Sequence, residues 1–296
     1  MGRDRLLILL AFFIIYFVWG ATYLANYWAI DSIPVFFMGG TRFFTAGLLM
    51  YVYTLLRGDR TWPRPTYLIN SGIIGILLLS VGTGAVVWAQ QYIPTSTTSL
   101  IIAFEPLVVM LMMWGILQSR PSNKAFLGAF ISICGMSLLI SQPVAVGGGA
   151  ETYKGLIAIG SGMLCWGSGM LLRQRLDLGP NRVRATSMQM LVAGVFLLVS
   201  SPFLDDWSGW SPAAVTARST YAWMFLVVFG SIIAFSAFNF LLGKVSADKV
   251  ATNTYVNPVV AVLLGGLFNN EVITGQSLLA GAVLLTGVYF INSAKG

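Results

Sequence analysis

The chain has 296 residues and a formal net charge of +7; 57% of its residues are apolar, 9% are charged, and the mean hydropathy is +0.80. A soluble domain carries about 25% charged residues, so this composition excludes an ordinary soluble fold and places the chain in a membrane. It contains no histidine, which excludes a Ser-His triad, and two cysteines without histidine exclude the usual zinc and haem sites.

The first apolar run, Leu6 to Ala25, is uncharged and follows Arg3 and Arg5. It exceeds the h-region of a signal peptide, about 7–15 residues, and suits a bilayer core of about 30 Å. Further runs follow, and the pattern predicts ten spans at roughly 6–26, 33–56, 67–90, 95–117, 124–141, 152–172, 184–203, 219–242, 249–268 and 275–293. Lipid offers backbone groups no water to bond, so the spans should be helices. The loops carry turn chemistry: Ile33-Pro34, Trp62-Pro63-Arg64-Pro65, Gly179-Pro180-Asn181, and the run Gly147-Gly148-Gly149 between the halves.

The chain repeats itself. Trp19-Gly20 recurs as Trp166-Gly167, and at that same separation Leu24 meets Leu171, Ala46-Gly47 meets Ala193-Gly194 and Val52 meets Val199. At a slightly larger separation Glu105-Pro106 meets Asn257-Pro258, Val108 meets Val260, Leu127 meets Leu279 and Gly135 meets Gly287. An insertion in the loop from Leu204 to Ser219 accounts for the shift. Five spans is an odd number, so the second half must be inverted. The expectation is an all-α integral membrane protein of ten transmembrane helices in two inverted five-helix repeats, 1–143 and 152–296, joined by a Gly-rich extracytoplasmic linker at 144–151. Inverted repeats are a transporter architecture, with the substrate site between the halves near the midplane.

Orientation follows from basic residues. Arg3, Arg5, Arg57, Arg60, Arg64, Arg120, Lys124, Arg173, Arg175, Arg182, Arg184, Lys244, Lys249 and Lys295 fall on one side, Lys154 and Arg218 on the other, and Arg42 lies inside span 2. This predicts both termini in the cytoplasm. The positive charge thus reports topology rather than nucleic-acid binding. No phosphate-binding G-x-x-x-x-G-K-[ST] occurs, since Gly243-Lys244 is followed by Val245. Cys134 and Cys165 read as small apolar residues inside spans 5 and 6. Gly160-Ser161-Gly162 and Gly167-Ser168-Gly169 read as small residues for close helix contact rather than as nucleophile turns.

Polar and aromatic residues at membrane depth are the candidate site. Glu105 stands mid-span before Pro106, and Asn257 before Pro258. Each proline removes a backbone donor and frees a carbonyl one turn back, so two mid-span breaks at matching positions are expected. A charged, unpaired carboxylate at this depth costs a few kcal/mol or more. Glu105 therefore contacts a substrate ammonium, couples protons, satisfies backbone at the proline break, or pairs with Arg42. Arg42, matched by Gln189 in the repeat, could snorkel outward, pair with Glu105 or meet a substrate carboxylate. Trp19 and Trp166 should lie near the midplane, either on a cavity wall or packed between helices. Tyr23 lies one turn beyond Trp19, with Asn26 and Tyr27 two turns beyond; Ser99 and Ile102 share the Glu105 face, and Asn253 and Thr254 precede Asn257 by one turn. Ser80, Thr83 and Ser231 fall near mid-depth on spans 3 and 8, where Gly82, Gly84 and Gly230 are candidate hinges. Small residues on spans 5 and 10 (Gly128, Ser132, Gly135; Gly281, Gly287) are either dimer contacts or intramolecular packing.

Taken in order, the Trp-Gly pairs, the Arg-Phe-Phe-x-Ala segment from Arg42 to Ala46, and Glu-Pro or Asn-Pro in spans 4 and 9 resemble the EamA family of the drug/metabolite transporter superfamily. Its bacterial members include amino-acid exporters of the YddG and RhtA types. The resemblance implies export of small metabolites by alternating access from the bacterial inner membrane, with no cofactor and no catalysis. It also implies a cavity formed by spans 1, 3, 4, 6, 8 and 9, carried over onto Trp19, Glu105, Pro106, Trp166, Asn257 and Pro258. An acidic residue commonly follows the fourth span of a repeat in the family; Glu271 fits, whereas the first half has Ser119. A lipid or lipid-carrier flippase, or a passive facilitator, is the alternative function on the same fold.

Overall fold

A computed structural model of the chain describes residues 3–59, 63–118, 120–142, 151–173, 175–241, 243–245, 250 and 253–293. The described residues form helices, turns and loops, with no strand among them. Eight helices are long and apolar enough to cross a membrane: α1 Asp4–Ile30, α2 Val35–Leu56, α3 Pro65–Ala89, α4 Thr95–Ile116, α5 Asn123–Ile140, α6 Thr152–Arg173, α7 Arg182–Leu204 and α8 Ala217–Leu241. Two shorter apolar helices follow, α9 Asn253–Phe268 and α10 Gly275–Ile291. The 144–151 linker lies outside the described residues apart from Glu151, as does Ser119.

Close helix contact is built on glycine. A Cβ added at Gly47 of α2 would meet the Leu191 nitrogen of α7 at 2.7 Å, and one at Gly194 of α7 would run into the Phe44 nitrogen of α2. The matched positions Gly47 and Gly194 thus make reciprocal contacts. Likewise a Cβ at Gly128 of α5 would meet the Gly287 oxygen of α10 at 2.6 Å, and one at Gly135 the Leu284 nitrogen at 2.5 Å. The small faces of α5 and α10 therefore pack against each other within the chain. With lipid tails as apolar as leucine, such van der Waals contact is what holds membrane helices together.

Three helices contain widened, π-type turns: Ile14–Val18 in α1, Ile76–Thr83 in α3 and Leu226–Ile233 in α8. The wide turn lets the Thr83 hydroxyl donate to the Leu78 oxygen five residues back, at 3.1 Å. Such turns give up regular i→i−4 bonds and concentrate at functional sites. No proline marks any of the three stretches, so nothing in the local sequence announces them.

Helix ends are fastened by carboxylates from distant loops. Asp205, after α7, accepts from the backbone N–H groups of Phe36 and Phe37 at the start of α2, both at 2.9 Å. Glu271, after α9, accepts from the Thr95 N–H at 3.0 Å, the Thr95 hydroxyl at 2.5 Å and the Ser96 N–H at 2.9 Å at the start of α4. Both helices begin after an Ile-Pro pair, and their first N–H groups have no intrahelical acceptor. Burial pushes the Glu271 carboxyl up, but the hydrogen bonds from Ser96 and Thr95 outweigh it and hold the group below its ordinary value. The long loop after α7 folds over this end, with Trp207 and Trp210 rings 5.1 Å apart and both beside Phe37. At the other end Arg184 pairs with Asp59 at 2.7 Å.

Candidate transport cavity

Helices α1–α4 and α6–α9 contribute walls to a central cavity of about 410 Å³, within the 300–1,000 Å³ typical of small-molecule sites. Trp19, Tyr23, Thr83, Ser99, Ile102, Glu105, Pro106, Trp166, Ser231, Asn253, Asn257, Pro258 and Arg42 all line it, as do Gly82 and Gly230. Tyr27, Ser80 and Gly84 do not. Ser80 is buried against α7, where its hydroxyl donates to the Ala193 oxygen at 3.2 Å; an intramembrane hydroxyl finds the nearest carbonyl, and here that belongs to the neighbouring helix. Gly84 faces Leu197 and Phe36 on the outside of α3.

The walls are largely aromatic and methionine-rich. Trp19 meets Trp166 edge-on at 6.4 Å and Phe238 at 5.1 Å, and the Trp19 indole donates to the Gly230 oxygen at 3.3 Å. The two tryptophans are thus both cavity wall and inter-helix packing. Gly82 makes room for this cluster: a Cβ there would lie 3.3 Å from the Trp166 ring. Phe43, Met113, Met163, Met170, Met190 and Phe235 are among the other apolar residues of the lining. Sequence reading missed most of these, because in a helix apolar on every face periodicity does not separate the cavity side from the lipid side.

Polar groups sit at defined places. Arg42 is 5% exposed; its Nε donates to Ser231 at 2.9 Å and its Nη1 to the Asn26 side-chain oxygen at 3.0 Å. Its guanidinium also lies over the Phe43 ring at 4.8 Å. Arg42 does not pair with Glu105: the ion pairs among the described residues are Lys154–Glu151, Arg184–Asp59, Arg218–Asp31 and Lys244–Asp4. Arg42 instead bonds Asn26 and Ser231, both neutral, so its charge has no counter-ion among the described residues.

Glu105 follows a real break. α4 runs as a helix from Thr95 to Ile102 and again from Glu105, with a turn at Ala103 and Phe104. The bonds across it are tight i→i−3 contacts, Phe104 to Ile101 at 3.0 Å and Leu107 to Phe104 at 3.0 Å. Glu105 is half-buried at the start of the second segment, within electrostatic reach of Tyr23. Among the described residues its carboxylate has no hydrogen-bond or ion-pair partner.

The matching position behaves differently, and the expected second break is absent. Among the described residues α9 runs through Pro258 as one helix from Asn253 to Phe268; the proline forfeits its own bond to the Thr254 oxygen without interrupting the winding. The Asn257 amide, with its nitrogen placed by the groups that face it, donates to the Ile15 and Tyr16 oxygens at 3.1 and 2.8 Å. These carbonyls belong to the widened turn of α1, directly before Trp19.

The sequence profile described as the EamA-like transporter family matches the chain twice, over residues 6–141 and 153–293. The chain is 33% identical over 298 aligned positions to the uncharacterized inner membrane transporter YedA of Escherichia coli (strain K12), covering 99% of this chain and 93% of that one. It is 25% identical to the uncharacterized transporter YvbV of Bacillus subtilis (strain 168), covering 99% and 93%, and 24% identical to the protein PecM of Dickeya dadantii (strain 3937), covering 94% and 87%. A solved crystal structure shares the fold with a TM-score of 0.67 at 19% identity, covering 98% of this chain and 96% of its own.

Proposed function

The chain belongs to the EamA-like transporter family and is a multi-pass membrane transporter, and we propose that it exports small metabolites, namely amino acids with apolar or aromatic side chains, by alternating access through the central cavity. The observation that carries this reading is the pair of unmatched charges on one cavity wall set. Glu105 has no protein partner among the described residues, and Arg42 bonds neutral groups alone. A zwitterion supplies the missing partners: its ammonium meets Glu105, its carboxylate meets Arg42, and its side chain lies against the aromatic and methionine walls. Buried charges are retained in membranes when a ligand or coupling ion completes them. Glu105 is the candidate proton-coupling group.

Several observations support the ten-span inverted architecture in a bacterial inner membrane with both termini cytoplasmic. The family profile matches each half separately, and matched glycines make reciprocal contacts across α2–α7 and α5–α10. The inter-loop ion pairs Arg184–Asp59, Lys244–Asp4 and Arg218–Asp31 join residues that the charge bias assigns to the same side. Over the described residues α9 and α10 are apolar helices shorter than the eight long ones. Gly82 and Gly230 lie in the widened turns of α3 and α8, where bending of the bundle would concentrate.

A second reading has its own observation. An apolar groove of about 270 Å³ between α4, α9 and α10 shares Pro258 with the central cavity, which suits a flippase whose lipid substrate enters laterally. Counterflow in proteoliposomes separates the readings. Vesicles preloaded with unlabelled amino acids are assayed for uptake of labelled threonine, phenylalanine and methionine at two pH values. Saturable exchange, strongest for phenylalanine and methionine, is expected. Non-saturable flux indicates a passive facilitator, and no exchange by folded protein favours lipid movement.

A further inference from the structure

At the separation that relates Trp19 to Trp166, Asn26 of α1 corresponds to Arg173 of α6, and Arg42 of α2 to Gln189 of α7. Each half therefore carries one arginine and one amide at the same two places, with the residue types exchanged between the helices. In the first half the pair is joined, Arg42 Nη1 donating to the Asn26 oxygen at 3.0 Å. In the second half it is not: Arg173 Nη1 and the Gln189 side-chain oxygen are both buried without a hydrogen-bond partner among the described residues. Gln189 is 1% exposed, so water does not serve it either.

We propose that Arg173 and Gln189 form a polar clasp equivalent to Arg42–Asn26, joined when the α6–α7 end of the cavity is shut and parted in the conformation described here, in which the α1–α2 clasp is shut. The proposal rests on alternating access but not on the identity of the solute. A buried donor and a buried acceptor left apart are both costly, and a conformation that brings them together recovers that cost while releasing the other pair. The two clasps lie at opposite ends: Asn26 and Arg42 flank the α1–α2 turn, Arg173 and Gln189 the α6–α7 connection. The first clasp has a third arm, Ser231 in the widened turn of α8. The same place in the widened turn of α3 holds Val81, which offers no oxygen. The α6–α7 clasp is thus the weaker of the two, in keeping with its being the one that is open.

The test reads the opening of each end without a substrate. In the full chain with Cys134→Ala and Cys165→Ala, single cysteines are placed on the cavity wall, Val86→Cys near the α3–α4 turn or Met113→Cys toward the far end of α4. Maleimide labelling rates in detergent report the two ends. Arg173→Gln should raise the Met113→Cys to Val86→Cys rate ratio by about tenfold, the worth of one charged hydrogen bond, and Arg42→Gln should lower it. The exchange Arg173→Asn with Gln189→Arg rebuilds the arrangement of the first half and should return the ratio to that of the parent. The proposal is overturned if Arg42→Gln shifts the ratio while Arg173→Gln does not, or if the double exchange labels like the single variant. If neither arginine matters, alternating access itself is wrong. If the ratios shift as expected and no amino acid exchanges, only the choice of solute fails.

Discussion

Where α1 crosses α9, the amide of Asn257 is used by backbone: it donates to two carbonyls in the widened turn of α1. Where α6 crosses α4, the matching side chain is Glu105, and none of the described residues bonds to it. Both crossings are seated on a matched glycine. A Cβ at Gly20 would meet Val260 Cβ at 2.6 Å, and one at Gly167 would meet the Met112 sulfur at 3.0 Å. The difference lies in the first-named helices. α6 is a regular helix from Thr152 to Arg173 with no widened turn, and a carboxylate could not donate to backbone carbonyls in any case. One position in the repeat has become a structural brace, and its counterpart is left over for the cavity.

The strongest way to break this comparison is to exchange the two residues. Glu105→Asn with Asn257→Glu sets a carboxylate against the Ile15 and Tyr16 oxygens, and should abolish transport and cost about 2–4 kcal/mol of stability through an unsatisfied buried acceptor. Recovery of folded, active protein would show that the two positions are interchangeable. Next in size, Asn257→Leu should lower stability by about 1–2 kcal/mol, the range for polar contacts in membrane helices, measured by thermal melting in detergent. Gly20→Ala should cost about 1–3 kcal/mol by overpacking against Val260, whereas Gly160→Ala, with nothing within 4 Å, should stay within about 0.5 kcal/mol. The smallest effect concerns the α4 cap. Glu271 has a lowered pKa, so its contribution is present above the ordinary glutamate value of about 4.3 and is lost as pH falls through the lower folded value. Melting temperature should therefore drop on acidification below about pH 4 in the parent, and Glu271→Gln should flatten that part of the curve.

Hydropathy alone placed the eight long helices, because a bilayer forces apolar runs of fixed length and the turns between them carry proline, glycine and charge. The proline rule found the break at Glu105-Pro106. It failed at Pro258, where the helix winds on through the proline and only that residue's own hydrogen bond is lost. The repeat found Trp19, Trp166, Arg42 and Glu105, all on the cavity. What stayed hidden was direction and local winding. Ser80 and Thr83 are three residues apart in one widened turn, yet one serves α7 and the other lines the cavity. Asn257 was legible as a polar residue at depth, but its partners depend on a turn in α1 that no local composition marks.

The most direct measurement is amino-acid counterflow by Glu105→Gln, in protein whose melting temperature is compared with the parent. A carboxylate without a protein partner contributes nothing to the fold, so melting should be unchanged or raised. Loss of the proposed contact with a solute ammonium should cut exchange by about a hundredfold or more. Unaltered exchange, or a substantial fall in melting temperature, would contradict the account and make Glu105 a second brace like Asn257.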